Sequence, residues 1–185
     1  VKEMGLYFEA EKVMGISRNG VVTGEMIAEI VLADARNRIN PMLEPYFPGG
    51  KRSDNPFVNF YWDFCASGKY AYAPVSFISL SDTIHLIHSS GGKPVLAHPG
   101  NNIKEDETLL GEVIRDGIEG IEVFSSYHSR EQMNFYSQQA QEYTCLQTLG
   151  SDFHGKTKPA ILIGQVASTL SDESIYAELM HRIFL

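Results

Sequence analysis

The chain has 185 residues, of which 43% are hydrophobic and 21% charged, as is ordinary for a soluble globular protein. Its formal net charge of −8 argues against electrostatic attraction to duplex nucleic acid or to an anionic membrane, but not against a phosphorylated substrate, because bound cations reverse the local field. The apolar runs are too short to cross a bilayer. Cys65 and Cys145 lie far apart, so we expect no disulfide framework and a cytosolic (cytoplasmic) protein.

The segment 1–66 predicts a mainly helical subdomain. Apolar side chains follow a helical period over 8–16, and Thr23 is a suitable cap for an amphipathic helix that extends to Ile39. A loop rich in proline and glycine follows this helix, and Pro56 then begins another helix. No convincing strand-like alternation occurs in this segment.

Beyond residue 66, short apolar runs alternate with amphipathic helical segments. In chain order we expect a helix that begins after Ser79 or Ser81, a strand over 94–97, a helix over 107–115, a strand over 121–124, a helix over 131–143 and a strand over 145–149. This alternation predicts an α/β fold with a parallel sheet or barrel.

Side chains that bind metals follow two of these strands. His98 comes directly after one strand, and Asp152 and His154 follow another, two positions apart, so that both point to the same side of an extended backbone. Active sites of parallel α/β folds lie at the carboxyl ends of the strands, so we expect the three side chains to converge there. Imidazole and carboxylate ligands suit a divalent ion such as zinc, manganese or iron. The sequence therefore predicts a hydrolytic metal centre.

The segments around these residues resemble motifs of the polymerase and histidinol phosphatase (PHP) superfamily of metal-dependent phosphoesterases. The segment 91–99 resembles the third motif of that family, and 150–155 resembles the fourth. The strand region 117–124 and the segment 68–72 also fit the family. The resemblance covers residues 68–165.

This resemblance implies a distorted seven-stranded (β/α) barrel with a two- or three-metal site. By motif position, His98, Asp152 and His154 are the metal ligands and catalytic residues that it implies. Residues 1–66 resemble the inserted helical subdomain of the branch that acts on nucleoside phosphates and short RNA, and 67–185 would be the C-terminal part of the barrel.

Two motifs of the family have no counterpart in the chain. These are the His-x-His motif near the N-terminus and the second motif, which contains Thr-Asp-His. A catalytic zinc ion usually takes three protein ligands, and a two-metal site needs more. We therefore expect the chain to be the C-terminal portion of a longer enzyme. By itself it should bind at most one metal ion, weakly, and be inactive or weakly active.

Three further residues are candidates for contact with the substrate. Glu122 lies in an apolar strand, where a carboxylate either makes a structural hydrogen bond or lines the site. His128 follows the same strand and is either a phosphate ligand or an ordinary loop histidine. Lys69, between Gly68 and Tyr70, is either a phosphate ligand or a solvated lysine.

The function that these features predict is metal-dependent hydrolysis of a small phosphomonoester, a nucleotide or short RNA. A catalytically inactive PHP-like binding or structural module is the alternative from a different class. Metal-dependent amide hydrolysis on the same barrel is a third possibility. The metal, the substrate and the oligomeric state stay open at this point.

Overall fold

The computed structural model describes residues 2–168 and 172–184. The chain divides into two compact units. The helical unit comprises Val1–Ser76 and His154–Ile161, and the sheet unit comprises Phe77–Phe153 and Leu162–Leu185. None of the helices in the described residues combines the length and the apolar composition that a bilayer span requires.

The helical unit consists of short helices joined by turns. Its helical segments are a 3-10 turn (Lys2–Met4), α1 (Ala10–Ile16), α2 (Gly24–Ala33), two 3-10 turns (Ala35–Asn37 and Glu44–Tyr46), α3 (Pro56–Phe60), a π-helical turn (Tyr61–Cys65) and a 3-10 turn (Gly155–Thr157). The extended pairing within the described residues of this unit is a single bridge between Arg18 and Val21. Its core contains buried Leu6, Val31 and Phe60.

The second helix of this unit begins where the sequence predicted and ends earlier. The hydroxyl of Thr23 accepts a hydrogen bond from the backbone N–H of Met26, which confirms the predicted cap. The predicted end at Ile39 is wrong, because the helix ends at Ala33. Asp34 adopts an extended conformation, and its carboxylate accepts the backbone N–H of Arg36 at 3.0 Å, which starts a separate 3-10 turn. A local aspartate–backbone bond thus replaces continuation of the helix.

The sheet unit contains a short parallel sheet and the helices that cover it. Its elements are α4 (Leu80–Ser89), β1 (Val95–Leu96), α5 (Pro99–Asn102), α6 (Glu107–Arg115), β2 (Gly120–Ser125), α7 (Arg130–Glu142), β3 (Leu146–Gly150) and α8 (Asp172–Phe184). The three strands are parallel, in the order β1-β2-β3, so the predicted mixed α/β class with a parallel sheet is confirmed. Two elements of this unit were not predicted, α5 and α8.

The middle strand has apolar side chains buried on both faces of the sheet. Ile121, Val123 and Phe124 are fully buried, together with Tyr136 from α7. Burial on both faces is typical of a parallel strand between neighbouring strands and covering helices. This packing fixes β2, and with it the positions at which the flanking strands end.

Candidate functional site

His98 begins a sharp turn after β1. Its backbone is left-handed, with φ of 31°, and it directly precedes α5. The Glu122 carboxylate accepts the backbone N–H of His98 at 2.7 Å, so a side chain from β2 supports this turn. A left-handed conformation costs a residue other than glycine free energy and is concentrated at functional sites.

Asp152 occupies the corresponding position after β3. Its backbone is also left-handed, with φ of 56°. The Tyr127 hydroxyl, from the turn after β2, donates a hydrogen bond to Asp152 Oδ2 at 2.6 Å. Two residues before Asp152, any Cβ at Gly150 would clash with the Glu122 carboxylate, so the glycine of this motif leaves room for the carboxylate that supports the His98 turn.

The structure brings His98 and Asp152 together at one edge of the sheet. His98 Nε2 lies 4.0 Å from Asp152 Oδ1, beyond the carboxyl ends of β1 and β3. Two ligands of one tetrahedral zinc ion, each bound at about 2.0–2.1 Å, would be about 3.3 Å apart. The observed separation is longer than this, so the imidazole and the carboxylate fit two of the ligands of a divalent ion once a small side-chain rotation brings them closer. Among the residues that the structure describes, no group of three or more side chains of histidine, cysteine, aspartate or glutamate could hold a metal ion.

His154 belongs to the helical unit. It precedes the Gly155–Thr157 turn and lies at the wall of a cavity of about 590 Å³ in that unit. Its assignment as a further metal ligand stays a prediction.

The two substrate candidates on the sheet unit make hydrogen bonds within the protein. His128 is buried, its Nε2 accepts the Gly100 N–H at 3.0 Å, and its Nδ1 lies 2.9 Å from the Val123 carbonyl oxygen. Because Nε2 is an acceptor, Nδ1 carries the proton and donates to that carbonyl. Both ring nitrogens are thus occupied, which argues against the predicted phosphate contact.

Glu122 and Lys69 have different surroundings. Glu122 makes the structural bond to the His98 turn that was one of its two predicted roles. Lys69 is exposed in the helical unit, as either of its predicted roles requires.

Tyr127 is a site residue that the sequence interpretation passed over. It lies in the polar turn after β2, between the two strands whose ends carry His98 and Asp152. Its ring packs edge-on against the His98 ring, with centroids 5.8 Å apart, and its hydroxyl binds Asp152. The sequence did contain a signal for Tyr127, because a side chain that follows the middle strand of a sheet lies between the side chains that follow the two neighbouring strands.

Removing the Tyr127 hydroxyl should weaken metal binding. Tyr127→Phe deletes the donor that orients the Asp152 carboxylate, and loss of such an outer partner typically lowers metal affinity by about 10- to 100-fold. Calorimetric titration with Mn²⁺ measures the effect. Tyr70→Phe, at an exposed tyrosine of the helical unit, is the matched control. Equal Mn²⁺ affinity in Tyr127→Phe and the parent chain would show that this hydroxyl has no part in the site.

About half of the chain is similar in sequence to a bacterial phosphatase and a bacterial exoribonuclease. No protein-family model matches it. It is 35% identical over 95 residues to the 3′,5′-nucleoside bisphosphate phosphatase of Chromobacterium violaceum, a match that covers 49% of this chain and 33% of that protein. It is 32% identical over 94 residues to the 5′-3′ exoribonuclease Rnm of Salmonella typhimurium, covering 49% of this chain and 32% of the relative.

About half of the chain is homologous to PHP-family phosphoesterases. This confirms the family resemblance found in the sequence. The matched stretch spans only about a third of the length of these relatives. Distant homologues of the chain are thus phosphoric ester hydrolases.

One solved structure shows the same fold. It comes from Bifidobacterium adolescentis and is assigned as a metal-dependent phosphoesterase. It superposes with a TM-score of 0.70 at 23% identity, and the match covers 98% of this chain and 58% of that one. The described fold therefore corresponds to part of the fold of that larger chain.

Proposed function

We propose that this chain supplies part of the metal centre of a phosphoester hydrolase that acts on a small phosphomonoester, a nucleotide or short RNA. The observation that carries the proposal is the 4.0 Å approach of His98 Nε2 to Asp152 Oδ1 beyond the ends of β1 and β3. The homology to phosphatases and exoribonucleases over about half of the chain supports the same chemistry. The sheet unit would be the C-terminal part of a distorted seven-stranded barrel, and residues 1–66 an inserted subdomain.

The residues of the chain would bind the metal, position its ligands and contact the substrate. His98 and Asp152 would hold a divalent ion (manganese, zinc or iron), with His154 as a further ligand and others supplied by the remainder of the fold. When bound, such an ion lowers the pKa of a coordinated water and polarises the phosphoryl oxygens.

Tyr127 orients Asp152 through its 2.6 Å hydrogen bond, and Glu122 holds the His98 turn. Exposed Lys69 would neutralise charge on the substrate phosphate.

We also propose a cytosolic setting, where Cys65 and Cys145 would stay thiols.

A hydrolysis screen tests this function. The chain is compared with a longer form that adds the part of the fold present in the solved phosphoesterase and unmatched here. Both are assayed with Mn²⁺ or Zn²⁺ against phosphomonoesters, phosphodiesters and amides. We expect the longer form to release phosphate from nucleotides only with added metal, and the chain alone to be weakly active, since it gathers two ligands in the sheet unit. Metal-dependent cleavage of amides alone would favour an amidohydrolase, and no turnover by the longer form would favour a binding module.

A further inference from the structure

The cavity of the helical unit has an aromatic wall. Its volume of about 590 Å³ lies within the usual range for small-molecule sites. Phe57, Tyr61 and Trp62 line it, and the rings of Tyr61 and Trp62 meet edge to face with centroids 5.2 Å apart. Trp62 is the chain's one tryptophan, yet it is 58% exposed. A large, rigid aromatic surface left open beside a cavity is suited to stacking on a flat ring.

Charged side chains line the same cavity. Lys156 pairs with Glu29 at 2.6 Å, so its charge is largely compensated within the protein. Arg18 is different, because it makes no hydrogen bond or ion pair with other side chains in the described part of the chain. It lies beside a tight turn that is closed by its bridge to Val21. A guanidinium in this position can bind a phosphate through two parallel hydrogen bonds.

Glu25 adds a hydrogen-bond acceptor. It lies in the first turn of α2 and lines the cavity, and no hydrogen bond to its carboxylate is found among the described residues. A carboxylate beside an aromatic wall can accept the exocyclic amino group of a nucleobase. An aromatic wall, a guanidinium and a carboxylate are together complementary to a nucleotide that carries an amino-substituted base, rather than to a phosphate alone.

We propose that this cavity is the base-binding subsite of the hydrolase. Trp62 stacks on the base, and Tyr61, whose ring is steeply inclined to that of Trp62, contacts the edge of the base. Glu25 accepts the amino group of the base, and Arg18 binds a phosphate. This inference rests on the proposed function, since His154, a proposed metal ligand, lines the same cavity. It adds a requirement that the proposed function does not contain: the substrate must carry an aromatic base.

The fluorescence of Trp62 allows nucleotide binding at the cavity to be measured in the 185-residue chain itself. Because it is the one tryptophan, quenching of tryptophan emission reports binding at this cavity. The chain is titrated with AMP in EDTA, with excitation at the red edge of tryptophan absorption, where adenine is transparent. Ribose 5-phosphate, which lacks the base, is titrated in parallel, and calorimetry gives both affinities. We expect AMP to quench Trp62 and to bind at least about fivefold more tightly than ribose 5-phosphate, given the usual strength of base stacking.

Variants test the contacts of Trp62 and Arg18. Trp62→Ala should weaken AMP binding by about 5- to 150-fold, whereas Trp62→Phe, which keeps a ring, should stay close to the parent chain. Arg18→Gln should weaken AMP and ribose 5-phosphate alike. Lys51→Gln, at an exposed loop lysine, is the charge-matched control and should change neither. Circular dichroism verifies that each variant is folded.

Several results would overturn the inference. These are equal affinity for AMP and ribose 5-phosphate, undiminished AMP binding in Trp62→Ala, and no AMP binding at millimolar concentration. Because this titration contains no metal and measures no turnover, its failure is separate from failure of the hydrolysis screen. A hydrolase that ignores the base would pass the screen and fail here.

Discussion

Asp152→Asn should lower kcat/KM for phosphoester hydrolysis in the longer form by about 100- to 1000-fold, the usual loss when a preorganised electrostatic group is removed from an active site. Asparagine retains the size of the side chain and an oxygen that can accept the Tyr127 hydroxyl. It removes the negative charge of a carboxylate that lies 4.0 Å from His98 Nε2 and would hold the metal ion together with that imidazole. The loss should therefore come from metal binding rather than from misfolding.

The control for this variant is Asp116→Asn. Asp116 is an exposed aspartate of the same unit, at the end of α6, so its replacement changes net charge equally without touching the site. Phosphate release at several Mn²⁺ concentrations separates weaker metal binding from slower turnover. If Asp152→Asn hydrolyses as fast as Asp116→Asn at all Mn²⁺ concentrations, then Asp152 is not a metal ligand.

Phe124→Ala should destabilise the sheet unit by about 3–5 kcal/mol, the usual cost of removing a fully buried phenylalanine and leaving a cavity. Phe124 is 0% exposed and packs in the core that fixes β2 between β1 and β3. Urea unfolding followed by circular dichroism gives the free energy of unfolding.

The matched control is Phe77→Ala in the same unit. Phe77 is 86% exposed, so this variant should change the free energy of unfolding by no more than about 0.5 kcal/mol. Similar losses in the two variants would mean that the core around β2 does not hold the sheet unit together.

The pairing of His98 with Asp152 was predictable because it follows from local pattern and one rule of topology. Each residue ends an apolar run, and the carboxyl ends of parallel strands meet at one edge of the sheet. The family motifs point to the same residues. The left-handed backbone at both positions was not predictable, because it depends on contacts such as the Glu122 carboxylate with the His98 N–H, 24 residues away along the chain.

Other features were beyond sequence reasoning for the same physical reason. The structural role of His128 depends on Gly100, where any Cβ would approach the imidazole to 2.7 Å.

The association of residues 154–161 with the helical unit includes the pair between Lys156 and Glu29, which are 127 positions apart. The early end of α2 at Ala33 depended on whether the Asp34 carboxylate would bind the Arg36 N–H in place of helix continuation. Hydrophobic periodicity carries no information on such contacts.

The most direct test of the metal centre is to locate a bound ion. Crystals grown with Zn²⁺ are measured at the zinc absorption edge, and an anomalous difference map gives the position of the metal without assumptions about function. We predict a peak about 2.0–2.2 Å from both His98 Nε2 and a carboxylate oxygen of Asp152, the usual zinc bond lengths. The peak should disappear in Asp152→Asn and persist in Asp116→Asn. A peak at other side chains, with His98 and Asp152 left without metal, would contradict the assignment of this strand edge as the metal centre.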